Sequence, residues 1–110
     1  MTPRLSPEVL ELIAERFRIL AEPTRLVILT ALLERERSVS DLVAETGLNQ
    51  ANVSKHLGIL RASGFVDRRK DGLYAFYKLV DPTVSELCDI MCVRLEEQAE
   101  EQSALLSTGS

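Results

Sequence analysis

Apolar residues recur every three or four positions over the first third of the chain, a spacing that places them on one face of an α-helix. The first set follows Ser6-Pro7, a pair typical of a helix start, and comprises Leu10, Ile13, Ala14, Phe17 and Ala21. Glu22-Pro23-Thr24 then breaks the chain and starts a second helix, which should end between Glu34 and Arg37. Its predicted apolar positions are Leu26, Leu29, Leu32 and Leu33.

A third, shorter helix is predicted in the segment after residue 37. Ser38 or Ser40 can cap it, because a side-chain oxygen accepts a hydrogen bond from the free N–H groups of a first turn. Leu42 and Val43 supply its buried side, and Gly47 is the usual left-handed residue at a helix end. Another helix should follow directly after a turn at Gly47 and Leu48.

The fourth helix should start after Asn49, a good N-cap, and run to about Ser63 before ending at Gly64. On a helical wheel its apolar side is Val53, Leu57 and Leu60, and the opposite side is Ala51, Lys55, Gly58 and Ala62. Small residues let the backbone approach the floor of a DNA groove, where polar side chains can read base edges. The polar candidates are Gln50, Asn52, Ser54 and Lys55. An ordinary solvated helix face would have a similar composition, so the neighbouring segments decide.

After Gly64 the pattern changes to the two-residue period of a β-hairpin. Phe65 and Val66 begin one strand, and Asp71-Gly72 suits a two-residue turn. The return strand has alternating residues on one face, namely Ala75, Tyr77 and Leu79. The sequence therefore predicts a two-stranded wing beside the fourth helix.

Three consecutive basic residues, Arg68, Arg69 and Lys70, are predicted at the tip of this wing. There they would contact phosphate or the minor groove, although a charged tip also keeps an edge strand soluble. The fold class expected from these elements is α+β, mostly α: a winged helix-turn-helix of about five helices and a two-stranded wing. Such a fold is built to lie against duplex DNA.

Length and composition fit a single domain, since 110 residues with 45% hydrophobic content can fill one core. We expect residues 1–102 to form it and residues 103–110 to be a flexible tail rich in small polar residues. No apolar run approaches the roughly 20 residues that span a bilayer, and the start lacks the regions of a signal peptide. The expectation is a cytoplasmic protein with no membrane partner.

The net charge of -4 is unevenly distributed along the chain. Residues 49–80 contain six basic residues against two acidic ones, whereas residues 81–110 contain one basic residue against seven acidic ones. Because lysine and arginine supply most non-specific affinity for phosphate, the first segment should face DNA. The second should face solvent or a partner.

The residues offer little chemistry for catalysis or metal binding. There is no plausible pair of nucleophile and base and no glycine-rich phosphate loop, so we expect no enzyme. His56, the single histidine, lies beside Leu60 on the wheel. Packing or a phosphate hydrogen bond is favoured for it over base reading or metal binding, because no acidic or thiol partners lie at ligand spacing.

With these segments in place, the sequence resembles the arsenical-resistance (ArsR/SmtB-type) winged-helix repressors. The resemblance rests on the order PTR, then SxHL, then a wing ending in YxL, and it extends from Leu20 to Leu79. It implies a homodimer, joined through terminal helices, that represses promoters at a partly palindromic duplex DNA operator. An inducer would release it from the operator.

The resemblance also implies particular DNA-binding residues. Gln50, Asn52, Ser54 and Lys55 match recognition-helix positions, Arg68 to Lys70 match the wing, and Arg25 lies in the PTR segment. Asn49 and His56 complete the candidate set on the fourth helix. Two sensor sites of the family are absent: the thiol-rich site, where this chain has Ser38, Ser40 and Val43, and the zinc site, because the last helix has no histidine.

The last helix instead has two cysteines. Cys88 belongs to its apolar stripe with Val84, Leu87, Met91 and Leu95, and Cys92 lies at the flank of that stripe. In related proteins this helix contacts the partner subunit, so both thiols are expected near the dimer seam. They are candidate sensors of a thiophilic metal or metalloid, an oxidant or a reactive sulfur species, and such an ion is the one candidate cofactor. Alternatively, the cysteines only fill the interface as small hydrophobes and the inducer is unrelated to them.

A function of a different class is open at this point. A winged helix can serve as a protein-protein interaction module without specific DNA binding, with the acidic last segment contacting a basic partner. The basic segment and its uncrowded helix face favour DNA. We therefore expect a sequence-specific transcriptional regulator, most simply a repressor.

Overall fold

Five α-helices and three short strands make up residues 3–108, the part of the chain that this computed structural model describes. After a single 3-10 turn at Pro3–Leu5, the elements are α1 (Pro7–Leu20), α2 (Pro23–Glu34), β1 (Arg37–Ser38), α3 (Val39–Thr46), α4 (Gln50–Ala62), β2 (Val66–Asp71), β3 (Tyr74–Leu79) and α5 (Pro82–Thr108). The predicted winged helix-turn-helix is confirmed. Within the described residues, no helix has an apolar stretch long enough to cross a membrane.

The helix ends follow from local capping chemistry. Ser38, rather than Ser40, caps α3 in a reciprocal capping box with Asp41, each side chain bonding the other residue's backbone N–H at 3.0 Å. Gly47 ends α3 with a φ of 76°, a left-handed conformation that costs glycine little. Asn49 caps α4 by accepting a hydrogen bond from the N–H of Asn52 at 2.8 Å. The short α3-to-α4 turn is thereby set by residues that the sequence analysis identified.

The sheet differs from the predicted wing in two respects. It has three antiparallel strands in the order β1-β3-β2, because Arg37 and Ser38 pair with Tyr77 and Phe76. The turn also lies one residue later than predicted, since Asp71 pairs with Tyr74 and leaves Gly72-Leu73 as the loop. Gly72 has a φ of 62°, and no non-glycine residue of the described chain has a positive φ, the arrangement of a type II′ turn.

A hydrophobic core joins α2, α3, α4 and the root of the β2-β3 hairpin. Its buried members are Ile28, Leu29, Leu32, Leu42, Val53, Leu57, Leu60, Phe65, Val66 and Val84. Ile28 was not among the predicted apolar positions, and Leu26 and Leu33, which were, remain exposed. On α4 the predicted apolar side is confirmed, because Val53, Leu57 and Leu60 have no exposed surface.

The two terminal helices contribute little to this core. No residue of α1 is buried, and α5 is exposed from residue 89 to residue 107. α5 also continues as helix through Thr108, into the segment predicted to be a flexible tail. Gly109 and Ser110, the end of that predicted tail, lie outside the described residues. The boundary between domain and tail stays a prediction.

Candidate nucleic-acid interface

The exposed side of α4 is bare, as the wheel predicted. Ala51, Lys55, Gly58 and Ala62 are all exposed, and a Cβ added at Gly58 would meet no atom within 4 Å. Gln50, Asn52 and Ser54 are exposed around the first turns of the same helix. A groove floor could therefore approach the α4 backbone closely while amide, hydroxyl and ammonium groups remain free to bond bases.

His56 and Arg25 do not belong to this exposed side: His56 is a buried residue of α4, and Arg25 lies in α2. His56 is 8% exposed, and its Nδ1 accepts a hydrogen bond from Nε of Arg25 at 3.2 Å. Arg25 also donates from a terminal nitrogen to the carbonyl of Ile19 at 3.0 Å. The geometry favours the packing role weighed for His56 and gives Arg25 intramolecular partners, so their DNA contacts remain untested predictions.

The hairpin is fixed firmly to the end of α4. Gly64, with a φ of 81°, reverses the chain, and the N–H of Phe65 donates to the carbonyl of Leu60 at 3.0 Å. The Phe65 carbonyl in turn accepts from the N–H of Val80 at 3.0 Å. Because Phe65 is fully buried, the hairpin and α4 form one unit with a common orientation.

The three basic residues of the wing are not at its tip. Arg68, Arg69 and Lys70 lie within β2, opposite Tyr77, Phe76 and Ala75, while the tip is Gly72-Leu73. Arg68 and Lys70 are exposed. Arg69 donates from Nε to both carboxylate oxygens of Glu36 at 3.1 Å. These hydrogen bonds hold the pKa of Glu36 below its ordinary value of 4.5.

An apolar groove runs between α1 and α5. It has a volume of about 370 Å³, and it is lined by Phe17, Leu20, Ala21, Leu26, Val84, Leu87, Cys88, Met91, Cys92 and Leu95. Cys88 is half-buried and Cys92 is exposed, and neither forms a disulfide. Both candidate sensor thiols therefore lie along one apolar surface, which does not include α4 or the wing.

Among residues 3–108, no three His, Cys, Asp or Glu side chains are grouped as potential ligands. A shared site between two chains would need donors from both, because each contributes two thiols at most.

Comparison with known proteins decides the family. A family model described as bacterial regulatory protein, arsR family, matches residues 22–68. The HTH-type transcriptional regulator Rv0081 of Mycobacterium tuberculosis is 42% identical over 83 residues, which cover 74% of this chain and 73% of that protein. The chain belongs to the arsR family of bacterial regulatory proteins.

Solved structures agree with this assignment. The crystal structure of Rv0081 matches with a TM-score of 0.78 at 37% identity, covering 88% of this chain and 98% of that one. A homodimeric winged helix-turn-helix DNA-binding domain, Mb0332 from Mycobacterium bovis, matches with a TM-score of 0.76 at 29% identity. The match covers 92% of this chain and 93% of that one. The biofilm growth-associated repressor of Xylella fastidiosa is 34% identical over 91 residues, 79% of each chain.

This arsR-family protein is therefore a DNA-binding transcriptional regulator and not an enzyme. Regulators of the family bind operator DNA as homodimers, and nothing in the comparisons supports the interaction-module alternative. Sequence reasoning missed Glu36 as a partner of the wing. The strict alternation of side chains along β2 was the signal that could have separated Arg69 from its neighbours.

Proposed function

We propose that this arsR-family regulator is a homodimeric repressor that places two copies of α4 in successive major grooves about 34 Å apart. The observation that carries the proposal is the bare, polar-edged face of α4, held rigidly beside a wing with exposed basic side chains. In each half of the dimer the wing would contact the backbone flanking the groove. A protein bound to chromosomal operators acts in the cytoplasm.

The surface area of the free chain supports the dimer. It exposes 7842 Å², whereas a folded monomer of 12.3 kDa exposes about 6,100 Å². The excess, about 1,700 Å², is larger than the roughly 800 Å² per partner of a standard interface. Large apolar side chains on α1 and α5 are exposed in the free chain, among them Leu12, Phe17, Ile90, Met91 and Leu95. We infer that these two helices form the seam.

A short chain of contacts links α1 to α4. The Ile19 carbonyl lies at the end of α1, one residue before the groove-lining Leu20, and it accepts a hydrogen bond from Arg25. Arg25 also bonds His56 on α4. A ligand that binds a displaced arrangement of α1 more tightly would thereby shift α4, to an extent limited by its differential affinity for the two arrangements.

Cys88 and Cys92 are our candidate sensor of an inducer. Residues four apart on a helix have Cβ atoms about 5 to 6 Å apart, and a disulfide needs about 3.5 to 4.5 Å, so an intrahelical bridge would distort α5. A disulfide between subunits, or a soft metal ion shared by facing thiolates, needs less strain. The competing interpretation is that both thiols only line the seam and the inducer is unrelated to them.

Selection from a random duplex pool tests the DNA-binding proposal. The expected result is a partly palindromic site whose half-sites are about 10 to 10.5 base pairs apart, or a multiple of that spacing. Binding to the selected site should weaken steeply as salt is raised. Recovery of no consensus, or a flat salt response, would contradict it.

The sensor is tested on the selected site with wild type and a Cys88→Ser, Cys92→Ser double variant. We expect Zn²⁺, a thiophilic metalloid or a mild oxidant to release wild type while the double variant stays bound. Equal responses of the two proteins would exclude the thiols as sensor and leave the repressor proposal intact.

A further inference from the structure

Strand geometry divides the basic run of the wing between two faces. Side chains alternate along a strand, and directly paired residues of neighbouring strands share a face. Arg68 and Lys70 therefore lie on the face of Val66, which is buried in the core. Arg69 lies on the opposite face, directly across from Phe76. Three adjacent positive charges thus become a pair on one face and a single charge on the other.

The two faces also differ in net charge. On the Arg69 face, β2 contributes Asp67 and Asp71, one on each side of Arg69. Glu36, just before β1, lies within bonding distance of Arg69 on that face, and Lys78 of β3 is the second basic residue there. This face therefore has three carboxylates for two cations. The face of Arg68 and Lys70 has no acidic residue in β2 or β3, and Arg37 of β1, on the same face, is itself bonded to Glu45 and Glu34.

Arg69 is already occupied by partners within the chain. Its guanidinium donates from Nε to both oxygens of the Glu36 carboxylate and from a terminal nitrogen to one of them, and its central carbon lies 4.9 Å from the centre of the Phe76 ring. Asp71 approaches a terminal nitrogen at 3.7 Å. The planar guanidinium of arginine matches a carboxylate better than a lysine ammonium does. The flat face of the Arg69 guanidinium makes a cation–π contact with the Phe76 ring.

Glu36 is adjacent in sequence to a buried and hydrogen-bonded residue. The next residue, Arg37, is 4% exposed and donates from Nε to Glu45 at 2.7 Å and from a terminal nitrogen to Glu34 at 3.1 Å. Arg37 also pairs with Tyr77 in the sheet. Arg69 therefore reaches across β3 from the outer strand to an anchored carboxylate at the opposite edge.

We propose that Arg69 is a positioning residue, which fixes the angle of the wing through Glu36 and Phe76, and that Arg68 and Lys70 make the wing's phosphate contacts. This rests on the operator binding proposed above. The two roles for Arg69 predict opposite effects of Glu36→Gln. If Arg69 contacted phosphate, removing its competitor would strengthen DNA binding. As a positioning residue it needs Glu36, so the substitution weakens binding.

The experiment measures operator affinity against salt for single variants, using duplex DNA selected with wild type. Each phosphate contact contributes about 0.9 to the slope of log K against log salt, and a substitution removes one contact from each subunit. Arg68→Ala and Lys70→Ala should therefore each flatten the slope by about 1.8 for the bound dimer. Arg69→Ala should leave the slope unchanged while lowering affinity about threefold at every salt concentration, as expected for loss of an exposed pair. Glu36→Gln should lower affinity by a similar factor.

Two further variants separate geometry from charge. Arg69→Lys retains the positive charge but loses the planar guanidinium that pairs with Glu36, so it should bind the operator as weakly as Arg69→Ala. Asp67→Asn removes a carboxylate from the same face without touching Arg69, and should not weaken binding. Unfolding curves check that all variants fold.

Some outcomes would overturn the proposal. These are a slope for Arg69→Ala as flat as that of Arg68→Ala, rescue by Arg69→Lys, or tighter binding by Glu36→Gln than by Asp67→Asn. If Arg68→Ala and Lys70→Ala leave the slope unchanged while a consensus is still bound, the wing assignment fails and the repressor proposal does not.

Discussion

Met91→Ala probes the seam between subunits most directly. Met91 lines the apolar groove between α1 and α5, and 59% of its surface is exposed in the free chain. Full burial of a methionine side chain is worth about 1.5 to 3 kcal/mol, so covering the exposed part contributes about 1 to 2 kcal/mol. Two-fold symmetry counts the side chain twice, for about 2 to 4 kcal/mol per dimer. At about 1.4 kcal/mol per tenfold, the dimer dissociation constant should rise about 30-fold or more.

Sedimentation over a dilution series measures that constant. Operator affinity at low protein concentration should fall in parallel, since only the dimer engages both half-sites. Leu73→Ala is the matched control, because Leu73 is a fully exposed apolar residue at the tip of the hairpin and does not line the groove between α1 and α5. A change in the constant of less than about threefold for Met91→Ala, with an unchanged helical spectrum, would refute this placement of the seam.

Three other variants test the site and its supports. Gly58→Ala should raise the free energy of unfolding by about 0.5 to 1 kcal/mol, because alanine is the better helix former and the added methyl meets nothing, yet it should weaken operator binding by crowding the groove floor. Thermal unfolding and DNA titration would show the two opposite effects. Lys55→Ala should reduce the ratio of operator to random-duplex affinity, measured by competition, about tenfold if it loses a base contact. Asp81→Asn should destabilise the protein at neutral pH and flatten its loss of stability on acidification. Hydrogen bonds from Thr83 lower the pKa of Asp81 from 3.8, so its contribution is complete above that value and is lost as pH falls through the lowered pKa. Denaturant titrations at several pH values measure it, and parallel curves for both proteins would contradict the assignment.

The helices were predictable because their signals are local. A cap acts within one turn, as Ser38 and Asn49 do, and a left-handed glycine such as Gly47 ends a helix without help from the rest of the fold. The buried side of α4 was equally predictable, since it needs only the helical period. The core face of α2 was less predictable. Leu26 and Leu33 are as apolar as Leu29, and only the packing of α2 against α1, α3, α4 and β3 decides which of them are covered.

The strands depended on contacts that the pattern does not contain. β1 has two residues, too few for any alternation, and it exists because β3 offers an open edge to Arg37 and Ser38. The turn lies one residue later than predicted because a type II′ turn requires the positive φ at its first central position. Gly72 therefore takes that position and Leu73 the second. An Asp-Gly pair fits a type I′ turn equally well. The sequence alone could not choose between them.

Charged residues were the least predictable part, and the reason is physical. Arg25, Arg68 and Arg69 are equally basic in the sequence, yet only Arg68 is exposed without a carboxylate within salt-bridge distance of its guanidinium in the described structure. A cation is available to phosphate only if the chain does not satisfy it first, and that depends on which strand face or helix end lies beside it. For this wing the deciding residue, Glu36, is 33 positions from Arg69. Strand alternation places Arg69 on the face opposite Arg68 and Lys70, a distinction between three adjacent cations that net charge does not make.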